Sequence, residues 1–116
     1  METGFVGLGR MGANMARRLL AGGHRVVVTN RSPGPIEQLA GEGATPAFTR
    51  AELVGMLAPA RVVWTMLPAG ETTQAAVDEL AALLQPGDVI VDAANSHYKD
   101  SLRRAAALAG RGIHFV

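Results

Sequence analysis

Phe5-Val6-Gly7-Leu8-Gly9-Arg10-Met11-Gly12 is the stretch whose reading decides the fold. An apolar run leads into three glycines, and an amphipathic helical pattern leads out of them. Glycines at this spacing occur in many turns and mean little alone. Between a strand and a helix each has its own task. The first permits a tight turn out of the strand, and the second lets the backbone approach a pyrophosphate with no Cβ in the way. The third lets the helix pack close to the strand. The helix start then offers N–H groups and a partial positive charge to phosphates. Gly7, Leu8, Gly9, Arg10, Met11 and Gly12 are therefore candidate residues for holding a dinucleotide cofactor.

Outward from this turn, strands and helices alternate. The first strand is expected over Thr3 to Leu8. Helix periodicity then places Met11, Met15, Ala16, Leu19 and Leu20 against the sheet, and Gly22-Gly23 ends that helix. Val26-Val27-Val28 lies in a strand from Arg25 to Thr29, apolar throughout as a strand covered on both faces should be. Ser32-Pro33 reads as the cap and first residue of a helix running to about Ala40. A short strand follows near Thr45 to Ala47. Thr49 and Glu52 have capping-box spacing ahead of a helix that reaches about Leu57. The fourth strand is Arg61 to Met66. The next helix starts near Thr72 and turns Ala76, Val77, Leu80, Leu83 and Leu84 inward. Val89 to Asp92, a helix from about Asp100 to Ala109 and a strand from Gly112 to Val116 complete the pattern. This alternation predicts an α/β, Rossmann-type doubly wound parallel sheet in the order 3-2-1-4-5-6, as a single domain over residues 1–116.

Composition narrows the class. Hydrophobic residues make up 48% of the 116, enough for a core, and the net charge of +1 has no one-sided basic stripe. A nucleic-acid partner is not expected. The chain has no cysteine, so neither disulfides nor a thiolate metal site is expected. The first strand follows Met1 too closely for a signal peptide. No apolar run approaches the ~20 residues of a membrane span. The expectation is a cytoplasmic protein with no membrane partner.

In such a sheet, ligands bind beyond the carboxyl ends of the strands where the order reverses. Four loops should converge there: Gly7–Gly12, Thr29–Ser32, Met66–Gly70 and Asp92–Tyr98. NAD binders place an acid at the end of the second strand, roughly 20 residues after the glycines, to accept from the ribose 2′-hydroxyl. Here the positions read Asn30-Arg31-Ser32, and the nearest acid is Glu37. Asn30 can donate to a 2′-phosphate, Arg31 can pair with it, and Ser32 either adds a hydroxyl or caps the helix. NADP is expected over NAD. Leu67, Pro68 and Ala69 can line the cofactor through backbone and apolar contact, or simply form a strand-to-helix turn. His24, His97 and Lys99 read as surface or loop residues.

The polar run after the fifth strand is more specific. Asp92-Ala93-Ala94-Asn95-Ser96-His97-Tyr98-Lys99-Asp100-Ser101-Leu102-Arg103-Arg104 resembles the Asp-Gly-Gly-Asn-Ser/Thr-x-x-x-Asp-Ser/Thr-x-Arg-Arg signature of the decarboxylating 6-phosphogluconate dehydrogenases. The glycine turn with Met11, the Asn30-Arg31-Ser32 triplet and the Pro68-Ala69-Gly70 turn resemble the same family, so the likeness covers nearly the whole chain. It implies that the glycine turn holds the NADP pyrophosphate and that Asn30, Arg31 and Ser32 bind the 2′-phosphate. It also implies that Leu67, Pro68 and Ala69 touch the cofactor, with Asn95 between the nicotinamide and a sugar-acid substrate. Ala93 and Ala94 replace the family's paired glycines. The family's substrate loop, catalytic lysine and helical dimerisation domain would follow residue 116. The resemblance therefore implies the NADP-binding part of a pentose phosphate pathway oxidoreductase, with no catalytic residue here and no activity alone. Other β-hydroxyacid dehydrogenases, of hydroxyisobutyrate or tartronate semialdehyde type, and a non-catalytic nicotinamide-binding module remain open. Self-association through the last strand is expected, because Phe115 and Val116 leave an apolar edge.

Overall fold

The computed structural model describes residues 2–68, 71–93 and 98–116. β1 (Glu2–Val6) leads to α1 (Arg10–Ala21), β2 (Arg25–Thr29) to α2 (Pro33–Gly41), and β3 (Thr45–Pro46) to α3 (Arg50–Met56). β4 (Val62–Thr65) leads to α4 (Glu71–Leu83), β5 (Val89–Asp92) to α5 (Tyr98–Ala109), and β6 (His114–Phe115) comes last. The strands form one parallel sheet in the order β3-β2-β1-β4-β5-β6. The sheet order expected from the alternation is the one observed.

Two apolar layers sandwich the sheet. Phe5, Val26 and Val28 meet Ala16 of α1 and Ile36 and Leu39 of α2 on one face. Val6, Val27, Val63 and Ile90 meet Leu53 of α3, Val77 and Leu80 of α4 and Leu108 of α5 on the other. All three valines of β2 are buried, because alternate side chains enter opposite layers. Each such side chain contributes roughly 1.5–3 kcal/mol relative to exposure. Gly23, at φ +83°, takes the left-handed position after α1 that other residues adopt only with strain. Among the described residues, no helix is long and apolar enough to cross a membrane.

The register fixes where the site lies. Thr29, Val6, Thr65 and Asp92 stand in one row across β2, β1, β4 and β5. The connections above that row share one end of the sheet.

Several expectations are corrected. Met11 is 65% exposed rather than turned to the sheet. The buried stripe of α1 runs through Gly12 and Ala16, with Leu19 and Leu20 half-buried. A glycine, invisible to a hydrophobic pattern, takes the inward place in the first turn. Leu83 is 37% exposed, and Thr73 and Ala81 join the buried stripe of α4 instead. Thr73 is buried because its hydroxyl donates to the Pro68 carbonyl at 2.6 Å. β1 stops at Val6, since Gly7 turns away at φ +101°. α5 begins at Tyr98, ahead of Asp100. At α3, Thr49 accepts from the Glu52 N–H as a capping box requires, but the Glu52 carboxylate accepts from Phe48 rather than Thr49.

Side chains tie the elements together at the far end of the sheet. The Ala58 backbone N–H, with Arg25 beside it, holds the Glu2 carboxyl below the ordinary carboxylate range. Arg17 reaches from α1 to Glu42 just beyond α2 and lowers that carboxyl too. Both acids are lowered, so their support is present above the unfolded carboxylate pKa and fades as pH falls through the lowered values. Asp88 is fully buried. It accepts from the Arg61 backbone N–H at 2.7 Å, the Gln85 N–H at 2.9 Å and the Arg61 guanidinium at 3.2 Å. Asp88→Ala would leave all three donors without that partner, and removing one member of a buried pair costs about 3 kcal/mol. Urea denaturation should show that loss, whereas an unchanged midpoint would refute the clamp. Cofactor affinity of the folded variant should be unaltered, because Asp88 lies at the opposite end from the crevice.

Candidate functional site

The three glycines divide by what surrounds them. A Cβ on Gly7 would fall 2.5 Å from the Met66 carbonyl oxygen, and one on Gly12 would fall 2.5 Å from the Gly7 carbonyl oxygen. These two are glycines because the turn closes against β4 and against itself. A Cβ on Gly9 meets nothing within 4 Å. Its backbone is extended, at φ −65° and ψ −174°, which any residue can adopt. Nothing in the folded chain within 4 Å requires glycine there. No side chain caps α1, and its first turn holds no acid. The early N–H groups and the positive helix end are thus available to an outside anion.

Asn30 and the glycine turn are joined. The Gly7 N–H donates to the Thr29 carbonyl at 3.0 Å, and the Leu8 N–H donates to Asn30 Oδ1 at 2.9 Å. Asn30 Nδ2 donates to the Ser32 carbonyl at 3.2 Å. Ser32 stands at the cap position of α2, yet its hydroxyl makes no capping bond. Arg31 is exposed beside it.

A cavity of about 500 Å³ opens beyond the row of strand ends, lined by Gly7, Asn30, Arg31, Leu67 and Pro68. The structure therefore brings Gly7 of the glycine turn, Asn30 and Arg31 of the β2 end and the β4 turn to one cavity, while Leu8, Gly9, Gly12 and Ser32 are not among the residues that line it. Ala69 and Asn95 lie outside the described residues. Arg10 and Met11 are exposed at the start of α1.

The cavity has a wall that the sequence reading missed. Phe48, Thr49 and Arg50 line it from the β3–α3 connection, and Thr72 and Glu79 from α4. Arg50 donates to Glu79 at 2.7 Å and closes that side between α3 and α4. Phe48 is 52% exposed, an aromatic face left toward solvent. The strand order was the available signal, since β3 ends on the same side as β2.

The resemblance signature has a structural basis at its two ends. Asp92 accepts from the Thr65 hydroxyl at 3.2 Å and lies 3.8 Å from the Arg104 guanidinium. Arg104 is buried and donates through Nε to Gln74 of α4 at 2.7 Å. Asp92 at the end of β5, Arg104 in the middle of α5 and Gln74 of α4 are thereby pinned together. Among the described residues, no group of acidic or histidine side chains could hold a metal ion.

A parallel sheet of this order, a glycine turn at an uncapped helix and a crevice over the strand ends define a Rossmann-type dinucleotide-binding domain. The chain belongs to the family described as the NAD binding domain of 6-phosphogluconate dehydrogenase, which it matches over residues 2–116. It is 42% identical over 107 residues to the NAD(+)-dependent, decarboxylating 6-phosphogluconate dehydrogenase of Haloferax volcanii, covering 92% of this chain and 36% of that protein. It is 38% identical over 120 residues to the decarboxylating enzyme of Treponema pallidum, covering 99% of this chain and 25% of that protein. The 6-phosphogluconate dehydrogenase structure from Plasmodium falciparum shares the fold with a TM-score of 0.91 at 23% identity, over 99% of this chain and 26% of that one. The chain thus spans about a quarter to a third of the length of these relatives.

The glycine geometry makes a prediction about folding alone. Gly9→Ala should change stability by no more than about 1 kcal/mol, the cost of alanine at a helix cap. Gly12→Ala should lower the melting temperature clearly, since its Cβ would strike a backbone oxygen. Thermal unfolding of both variants decides it, and equal losses would show that Gly9 also has a packing role.

Proposed function

We propose that this chain is the cofactor-holding domain of a 6-phosphogluconate dehydrogenase that uses NADP in preference to NAD. The observation that carries the proposal is the open space at Gly9, a glycine for which the folded chain itself has no use. A pyrophosphate placed there would lie beside the uncapped start of α1. The chemistry that the nicotinamide would supply when bound is acceptance of a hydride from the C3 carbon of the sugar acid, whose hydroxyl gives up its proton as the ketone forms, before carbon dioxide is lost. The chain's residues hold and orient. Gly9 leaves room, the first N–H groups of α1 face the phosphates, and Leu67 and Pro68 shape the crevice beyond β4. Asn95, from the resemblance, belongs between nicotinamide and substrate.

Cofactor choice is read at the end of β2. No carboxylate stands there to repel a 2′-phosphate. Arg31 is exposed at the mouth, and Ser32 keeps its hydroxyl out of helix capping. Family membership alone does not set the choice, since the Haloferax volcanii relative is named for NAD(+).

Gly9→Val should abolish cofactor binding in calorimetry while the circular dichroism stays that of the folded chain. Micromolar binding retained by that variant would remove the glycine turn from the site. Arg31→Ala should weaken NADP by roughly tenfold, the low end for a hydrogen bond to a charged group at an exposed site, and leave NAD nearly unchanged. Equal losses for both cofactors would show that Arg31 does not read the 2′ position.

A further inference from the structure

Asn30 stands one residue past β2, and its side chain faces back toward the β1–α1 turn. Its Oδ1 accepts from the Leu8 N–H at 2.9 Å across 22 residues of chain, and its Nδ2 donates to the Ser32 carbonyl at 3.2 Å. The preceding N–H of the turn, on Gly7, goes to the Thr29 carbonyl at 3.0 Å. Two successive amides of the glycine turn thus end on two successive residues at the end of β2. The first bond is backbone to backbone, and any residue at 29 could make it. The second needs a side-chain acceptor at position 30 of the right length. Leu8 is only 5% exposed, so its N–H has little access to water as a replacement. A buried donor left unpaired costs more than an ordinary hydrogen bond contributes.

We infer that Asn30 is a positioning residue that locks the glycine turn to the Arg31–Ser32 loop. It thereby sets affinity for the whole dinucleotide rather than the choice between NADP and NAD. One amide spans the two loops that must stay at a fixed separation if one ligand is to bridge them. Without the link, only the Gly7–Thr29 backbone bond ties the turn that carries Gly9 to the β2 end, and the Leu8–Gly9 segment beyond it is held less firmly. Every ligand that uses the turn then loses, with or without a 2′-phosphate. Choice between the cofactors rests with Arg31 and Ser32. This inference rests on the crevice being the dinucleotide site.

Two variants separate the roles. Asn30→Ala removes both bonds. Asn30→Asp keeps an oxygen for the Leu8 N–H and loses only the donor to Ser32. Hydrogen exchange on the chain without cofactor should show the Leu8 amide protected in wild type and in Asn30→Asp, and exchanging measurably faster in Asn30→Ala. Titration with NADP and NAD should show Asn30→Ala weaker for both by a similar factor of roughly tenfold. NAD affinity in Asn30→Asp should stay near wild type. Circular dichroism checks that each variant is folded. A loss in Asn30→Ala confined to NADP, or a Leu8 amide equally protected in all three proteins, overturns the positioning role. Wild-type chain that binds neither cofactor overturns the reading of the crevice, and this role with it.

Discussion

The closeness of Gly7, Gly12 and the Met66 carbonyl is the constraint on which the site depends. A Cβ at either glycine would fall 2.5 Å from a backbone oxygen, so the β1–α1 turn has no slack toward β4 or toward itself. That closure brings the start of α1 down over the carboxyl end of β1. It also leaves Gly9 as the one glycine of the three that meets no protein atom nearby. Packing therefore explains the outer two glycines, and the proposed cofactor site gives the middle one its reason. The parallel register supplies the rest. Thr29, Val6, Thr65 and Asp92 end in one row, so loops distant in the chain open onto one crevice.

The sheet was legible because its signals are local. Three consecutive valines in β2 have one reading in a sheet covered on both sides, and Gly22-Gly23 and Pro33 mark helix ends by backbone chemistry. What escaped needed tertiary contacts. Hydrophobic periodicity could not see that Gly12 takes the inward place of α1 while Met11 faces solvent. Thr73, Asp88 and Arg104 are buried with partners that include Pro68, Arg61, Gln85, Gln74 and Asp92 across the fold. The same holds within the crevice. The glycine turn, the Asn30-Arg31-Ser32 triplet and the Leu67-Pro68 turn carry motifs. The wall formed by Phe48, Arg50 and Glu79 carries none, and exists only where α3 and α4 meet.

Fold and family fix the class of ligand, and the finer chemistry lies in single side chains. A relative named for NAD(+) shares 42% identity with this chain. In the proposed reading, preference for one cofactor turns on a few atoms at the end of β2, whereas affinity for either turns on how firmly the glycine turn is held. Asn30 connects the two by reaching from the first loop to the second. In the proposed function the domain presents the cofactor in one orientation, and rigid linkage between its loops would serve that part directly.

The most direct test of the account is amide chemical-shift mapping of the wild-type chain titrated with NADP. The account predicts the largest shifts at Gly9, Arg10 and Met11 and at Arg31 and Ser32, with smaller ones at Leu67. Arg61 and Asp88, at the other end of the sheet, should stay still. Shifts centred on α5 and β6, or none at the glycine turn as NADP reaches saturation, would contradict it.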